Sequence, residues 1–376
     1  MRKRQYIPLL VLVASVVVLL VLPSAHSVAY DGGFDSLRAK VVEVDASAVE
    51  RVGHVDYGTE RLTVELLEGP ARGERFSAEN ELRAQPDLDK RFSPGDVAVV
   101  SWPRSGAESG TTLVARDHWR LGWAAAMFAA FTALLIVFGG WTGAKSIFSF
   151  VFSCLAVWKL LVPLCLEGMD PLWTSFLTVA VLTAVIMYLV AGPTRIGTSA
   201  FLGAMLGIAV SLMLSCGAAS LMHVTGMTMP YATALLYAGY ETLDVTSVFN
   251  GAVILASSGA VMDLAMDIAA GVGEVARHSP SLSRRELFKS GVRIGRSVVG
   301  TMTTTLLLAY SGGYLTLLML FAAQGTPPAD FLNSTLVSAE LVKTVAGSFG
   351  LVLVAPFTAW TSAWLFHAKR RLAGCG

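Results

Sequence analysis

Residues 245–274 read VTSVFNGAVILASSGAVMDLAMDIAAGVGE. Up to Met262 this run holds no charge, and as far as Ile268 its only ionisable side chains are Asp263 and Asp267. Such a stretch meets the requirement of about 20 apolar residues for an α-helix to cross a hydrocarbon core of about 30 Å. Gly259, Asp263, Asp267, Gly271 and Glu274 follow one another at steps of four, four, four and three, which a helix turns into one face. An ionisable group inside a span is costly and normally faces a bundle interior, a partner or a water-filled path. If the span instead stops near Met262, the same acids simply solvate a helix end.

Seven further stretches have the length and apolarity of spans: 7–29, 121–141, 146–166, 172–191, 199–222, 300–323 and 344–367. Of the 376 residues, 54% are hydrophobic and 15% charged. A soluble domain carries about 25% charged residues, so the composition argues against one. With the N-terminus inside, cytoplasmic segments collect Arg2, Lys3, Arg4, Lys145, Arg195, Arg277, Arg284, Arg285, Lys289, Arg293, Arg296, Lys369, Arg370 and Arg371. The outer turns near Gly168, Thr225 and Pro327 hold no base, as the positive-inside rule requires. The expected fold is therefore a mainly α, polytopic membrane bundle of about eight helices, both termini cytoplasmic.

Residues 1–30 read equally as a signal anchor or a cleavable signal peptide: a basic start, the apolar run Ile7–Leu22, then Ser27 and Ala29. Either way residues 31–119 are exported. They alternate as strands over Leu37–Val44, Arg61–Leu67, Arg75–Leu82, Val97–Trp102 and Thr111–Arg116, with turn signals such as Gly69-Pro70 and Ser93-Pro94-Gly95-Asp96 between them. Five short strands in about 90 residues suggest a small, OB-like β-barrel. It holds 17 acids and 11 bases, and the rest of the chain 10 acids and 17 bases, so the net charge of +1 sums two opposite terms. An acidic barrel with few aromatics does not suit nucleic acid; it is expected to dock on the membrane domain or on an exported partner. Residues 120–370 form the membrane domain and 371–376 a short tail.

Other polar residues in the membrane domain fall into groups. Ser283-Arg284-Arg285-Glu286 is a capping box opening an amphipathic helix, 283–299, whose stripe of Arg285, Lys289, Arg293 and Arg296 suits anionic head groups. Arg296 or Arg293 can alternatively pair with Asp267 or Glu274. Lys159, beside Pro163, either snorkels outward or pairs with Glu241 or Asp244. Gly203, Gly207, Ser211, Ser215 and Ala219 recur every four residues, a pattern for close helix packing, as is Gly259 on its own span. Glu340 and Lys343 read as a surface helix pair preceding the last span. Ser311-Gly312-Gly313 and Pro356 are potential helix breaks, which in transporters line substrate sites.

Catalytic signatures are missing. Gly139–Ser146 comes near GxxxxGK[ST], but Ala144 replaces the second glycine and the segment joins two membrane helices. Histidines form no HExxH, and Cys154, Cys165, Cys216 and Cys375 give neither a CxxC site nor a disulfide framework. No metal, cofactor or enzymatic activity is expected.

Ser258-Gly259-Ala260-Val261-Met262-Asp263, Glu286-Leu287-Phe288-Lys289-Ser290-Gly291, Gly295-Arg296, Gly300-Thr301-Met302-Thr303, Leu308-Ala309-Tyr310 and Gly347-Ser348-Phe349-Gly350-Leu351-Val352 with Pro356 resemble, in order and spacing, the YibE/F family of bacterial membrane proteins. Ser297 and Thr304 depart from that pattern, standing where Asp and Asn are common. The resemblance implies a multipass integral membrane protein and no particular activity. Two functions suit the residues. One is a permease or secondary transporter of a small solute or ion, with Asp263 central and Asp267, Glu274, Lys159, Arg296, Glu241 and Asp244 as supporting charges. The other is a non-transporting envelope scaffold or signalling protein whose barrel binds a partner; either is compatible with a homo-oligomer.

Overall fold

A computed structural model describes residues 33–106 and 110–373, with side chains of the last helix as far as His367. The expected N-terminal anchor and the end of the tail lie outside these residues. The described chain divides into two compact units at 137/138.

The first unit begins with five strands: β1 (Phe34–Val52), β2 (Val55–Leu66), β3 (Arg75–Arg83), β4 (Val97–Pro103) and β5 (Leu113–His118). They close into a barrel in the order β1-β2-β3-β5-β4, antiparallel except for the β3–β5 pair, which is an OB-type arrangement. Strict alternation builds it: in β3 every second residue, from Phe76 to Leu82, is buried. Inward-facing Val41, Leu62, Val64, Leu66, Phe76, Val100 and Trp102 fill the core, with Phe76 meeting Trp102 edge to face at 5.3 Å. Glu60, 1% exposed, accepts hydrogen bonds from Asn80 Nδ2 and Arg91 Nε, both 2.9 Å, so the buried carboxylate is satisfied.

β1 runs well past the expected Val44. Beyond the barrel it pairs with the start of β2 as far as Val52↔Val55. The extension has side chains exposed on both faces, including Val52 and Tyr57, so no burial alternation marks it. A bulge between Asp45 and Ala48 brings the Ala48 carbonyl against Gly58, whose φ of +126° and absent Cβ are both required there.

Helix α1 (Leu121–Ala156) continues through a π turn, Val157–Leu161, into α2 (Val162–Leu166). At 46 residues a straight rod would be about 69 Å long, twice a bilayer core. The backbone leaves the helical region at Gly140 (φ 53°, ψ −128°), a conformation reserved for glycine. That break lies inside the P-loop-like segment, and Trp141–Ser146 are helical. The π turn precedes Pro163, which lacks an amide proton and whose ring would collide with the Lys159 carbonyl in a regular helix.

Then follow α3 (Pro171–Ala191), α4 (Arg195–Leu221), short α5 (Ala232–Tyr237), α6 (Val245–His278), α7 (Arg284–Gly313), α8 (Leu315–Ala323), α9 (Pro328–Asn333) and α10 (Thr335–Ala373). Among the described residues, five helical runs are long and apolar enough to cross a membrane; α7 and α8, bent by 62° at their junction, make a sixth if taken as one span. The second unit is a bundle around Ile208, Ile254, Val261, Ile268, Leu287, Leu351 and Val354. Its closest seam is α4 on α10: a Cβ at Gly203 would overlap Thr358, and one at Gly350 would overlap Ser211. In lipid, where no hydrophobic effect drives helices together, such backbone proximity supplies van der Waals contact.

The amphipathic segment 283–299 is not a separate helix. Ser283 and Glu286 form the expected capping box, but the helix runs on to Gly313. The hydroxyls of Thr301, Thr303, Thr304 and Thr305 donate to carbonyls three or four residues back and leave the ladder intact. Nor does its apolar face lie open: Gly291 packs on Ala359 and Val272, and Gly295 on Ala355 and Ile268. Arg285, Lys289, Arg293 and Arg296 point outward.

Candidate functional site

The acids of α6 have three different environments. Asp244 is the N-cap: its Oδ1 accepts from the amides of Thr246 (2.9 Å) and Ser247 (3.2 Å), and its Oδ2 from the Ser247 hydroxyl at 2.6 Å. That hydroxyl and those amides hold its carboxyl below the ordinary aspartate range. Glu274, near the other end, is paired with Arg277 (2.6 Å) and His278 (2.7 Å) of its own helix. Asp263 and Asp267 are exposed on the outward face with Gly259, and among the described residues neither accepts a hydrogen bond nor pairs with a base. Arg296 is exposed on α7 and forms no ion pair with them. Glu241 is exposed in the segment before α6, and Lys159 lies half-buried in the π turn.

Gly203, Gly207 and Ser211 all face α10. Gly259 differs: a Cβ there would meet nothing within 4 Å.

A second group of charges lies within the bundle. The Lys343 ammonium donates to Glu340 Oε1 at 2.7 Å, with the side chains only 21% and 25% exposed. Both belong to α10, which starts at Thr335 and is apolar enough to span over 335–367; the pair therefore lies inside the apolar helix and not before it. Lys343 Nζ also stands 5.7 Å from the centre of the Phe249 ring on α6, a cation–π contact. The hydroxyl of Tyr310 on α7 lies 3.6 Å from where a Cβ would stand at Gly347 of α10. The Tyr310 hydroxyl and Thr344 Oγ1 are buried with no hydrogen-bond partner. Such an unsatisfied polar atom costs about 1–3 kcal/mol, so these two are destabilising unless something else meets them.

Three helices thus converge: α6 through Phe249 and Ser257, α7 through Tyr310, and α10 through Glu340, Lys343, Thr344 and Gly347. Tyr310 is the last residue before Ser311-Gly312-Gly313, after which the chain bends by 62° into α8. An ion pair, two unpartnered hydroxyls and a broken helix together can bind and release a polar species. Sequence spacing alone made Glu340 and Lys343 a surface pair; the signal available was their proximity to Ser338, Thr344 and Ser348 on an otherwise apolar helix. Among the described residues no group of three His, Cys, Asp or Glu side chains could hold a metal ion.

The family model for YibE/F-like proteins matches residues 127–368, nearly two-thirds of the chain. The chain belongs to that family. In this YibE/F-like protein the matched region holds Asp263, Arg296, Tyr310, Glu340 and Lys343, whereas the barrel lies outside it. No curated protein and no solved structure matches the chain.

Proposed function

We propose that this YibE/F-like protein is a permease or secondary transporter of a small solute or ion in the bacterial cytoplasmic membrane. In this reading α1 crosses twice, either side of Gly140, and α7 with α8 once. The first apolar segment makes eight crossings, with both termini cytoplasmic and the barrel outside. The observation that carries the reading is the half-buried Glu340–Lys343 pair beside two unpartnered hydroxyls and the α7–α8 break. The centre of the proposed mechanism moves accordingly from Asp263 to Glu340. Insertion of a polar solute parts Glu340 from Lys343 and supplies partners for Tyr310 and Thr344. The exposed stripe of Arg285, Lys289, Arg293 and Arg296 meets anionic head groups at the inner surface.

The test is flux in proteoliposomes against a panel of monovalent and divalent ions and small metabolites, comparing wild type with Glu340→Gln, Glu340→Asp and Lys343→Met. Gln and Met variants that fold but lose flux at least tenfold, with Asp retaining part of it, support the reading. Wild-type flux in the Gln variant sinks it. The outward Asp263 favours a second reading, a scaffold whose face binds another helix and whose barrel binds an exported protein. Cross-links from residues 31–119 to one partner, with no flux for any solute, would select it.

A further inference from the structure

Along α10, Glu340, Lys343, Thr344 and Gly347 follow one another at steps of three, one and three and so share one face. At 1.5 Å of rise per residue this stripe is about 10 Å long, and its two ends differ. The Glu340 carboxylate stands at one end. Toward the other lie three groups that can donate: the Lys343 ammonium, the Thr344 hydroxyl and the Tyr310 hydroxyl, which reaches the stripe beside Gly347, where no side chain fills the space. Both hydroxyls are buried without a partner, and Thr344 is only 8% exposed. A single bond of 2.7 Å, from Lys343 to Glu340, joins the two ends.

We propose that the solute taken here is a small zwitterion, an amino carboxylic acid whose ammonium meets Glu340 and whose carboxylate meets Lys343 and the hydroxyls of Thr344 and Tyr310. The inference rests on the reading of this pair as a solute site and names the substrate class. Charge count selects that class. A solute that parts the pair takes from each partner its counter-charge, in a place where little water replaces it. A cation satisfies Glu340 and strands Lys343; an anion does the reverse; an uncharged solute leaves both charges facing dipoles. A zwitterion replaces both partners, and the net charge of the site is zero with or without it. The hydroxyls then set its direction. They lie on the Lys343 side of the stripe, and a carboxylate, with about four lone-pair sites, can accept from all three donors at once. Reversed, the solute would set its ammonium beside Lys343, a like-charge contact.

Equilibrium binding to the full chain in detergent tests this without recourse to flux. The probes are glycine, β-alanine and γ-aminobutyrate, which hold the two charges at growing separation, against acetate and methylammonium as the separate halves. At least one of the three should bind at least tenfold more tightly than either half, because a site built to bond both ends rejects a solute that lacks one. Glu340→Gln and Lys343→Met should each weaken that binding by about tenfold or more, with Lys343→Arg retaining part of it. Tyr310→Phe, which keeps the ring, should weaken the zwitterion and acetate more than it weakens methylammonium. Three outcomes overturn the proposal: a separate half bound as tightly as every zwitterion, zwitterion binding unchanged in a folded Glu340→Gln variant, or no zwitterion bound at all. Flux of an inorganic ion that needs Glu340, with no zwitterion bound, would sink this inference and leave transport standing. Zwitterion binding lost in Glu340→Gln, with no flux for any solute, would uphold the site and sink transport.

Discussion

Glu340 and Lys343 show what partial burial in a helix bundle does to two ordinary side chains. On a water-exposed helix a pair three residues apart contributes about 0.2–0.5 kcal/mol. Here each side chain retains only a fifth to a quarter of its surface, so removing one partner strands the other. Glu340→Gln should therefore cost on the order of 1–2 kcal/mol, less than the about 3–5 kcal/mol of a fully buried pair. Adding Lys343→Met should restore much of that loss. A double-mutant cycle of thermal unfolding in detergent reads it, and additive losses would mean the two charges are not coupled. Glycines make a parallel contrast. Gly203→Ala puts a Cβ onto the Thr358 backbone and side chain, while Gly259→Ala meets open space. The first should lower stability by about 1–3 kcal/mol through overpacking, and the second should leave the midpoint where it is. Equal shifts in the two variants would contradict the seam between α4 and α10.

At the level of elements, what sequence showed and hid follows from which physical signal each element leaves. Barrel strands β2 to β5 were legible because one face is buried, and burial imposes a period of two. The outer half of the β1–β2 hairpin was not, since backbone pairing alone holds it and neither face is apolar. Spans are legible as runs of apolar residues, but the direction a face looks is not: the spacing of Asp263, Asp267 and Glu274 gave one face without saying whether it turned inward. Helix α7 misled for the reverse reason. Its amphipathic and apolar halves differ in composition, yet no backbone hydrogen bond is interrupted at Gly300. The break comes at Gly313, where Tyr314 donates back to Ser311 and the helix ends. Neither Gly312 nor Gly313 has a neighbour within 4 Å of its Cβ position. Alanine at both should thus be tolerated sterically and favour helix by about 1 kcal/mol per site. If the bend serves transport, the Gly312→Ala, Gly313→Ala double variant will fold at least as stably as wild type while its proteoliposome flux falls. Undiminished flux would detach the bend from the mechanism.

Over the whole molecule, charge is divided by unit: 17 of 27 acids lie in 31–119, and that division predicts where acid should act first. In the barrel, hydrogen bonds from the Arg38 guanidinium hold the Glu68 carboxyl below its usual range; the Arg83 and Gln85 amides do this for Asp89, and the Arg120 guanidinium for Asp117. A depressed folded-state value means that the folded barrel binds these protons less readily than the unfolded chain. Their contribution is therefore complete above the unfolded carboxylate range, about pH 4–4.5, and is lost as pH falls through the lower folded values. The barrel should melt at nearly constant temperature from about pH 7 to about pH 5 and at progressively lower temperature below about pH 4. Trp102, buried in the barrel core, reports this when it is the only tryptophan left in the full chain. Because all three carboxylates lie near the surface, salt should weaken the same contribution at neutral pH. Arg38→Leu removes the donor to Glu68, and so should lower the midpoint at neutral pH while reducing the fall in acid. A midpoint that rises on acidification, or an acid response unchanged by Arg38→Leu, would show that these pairs do not govern the barrel's stability.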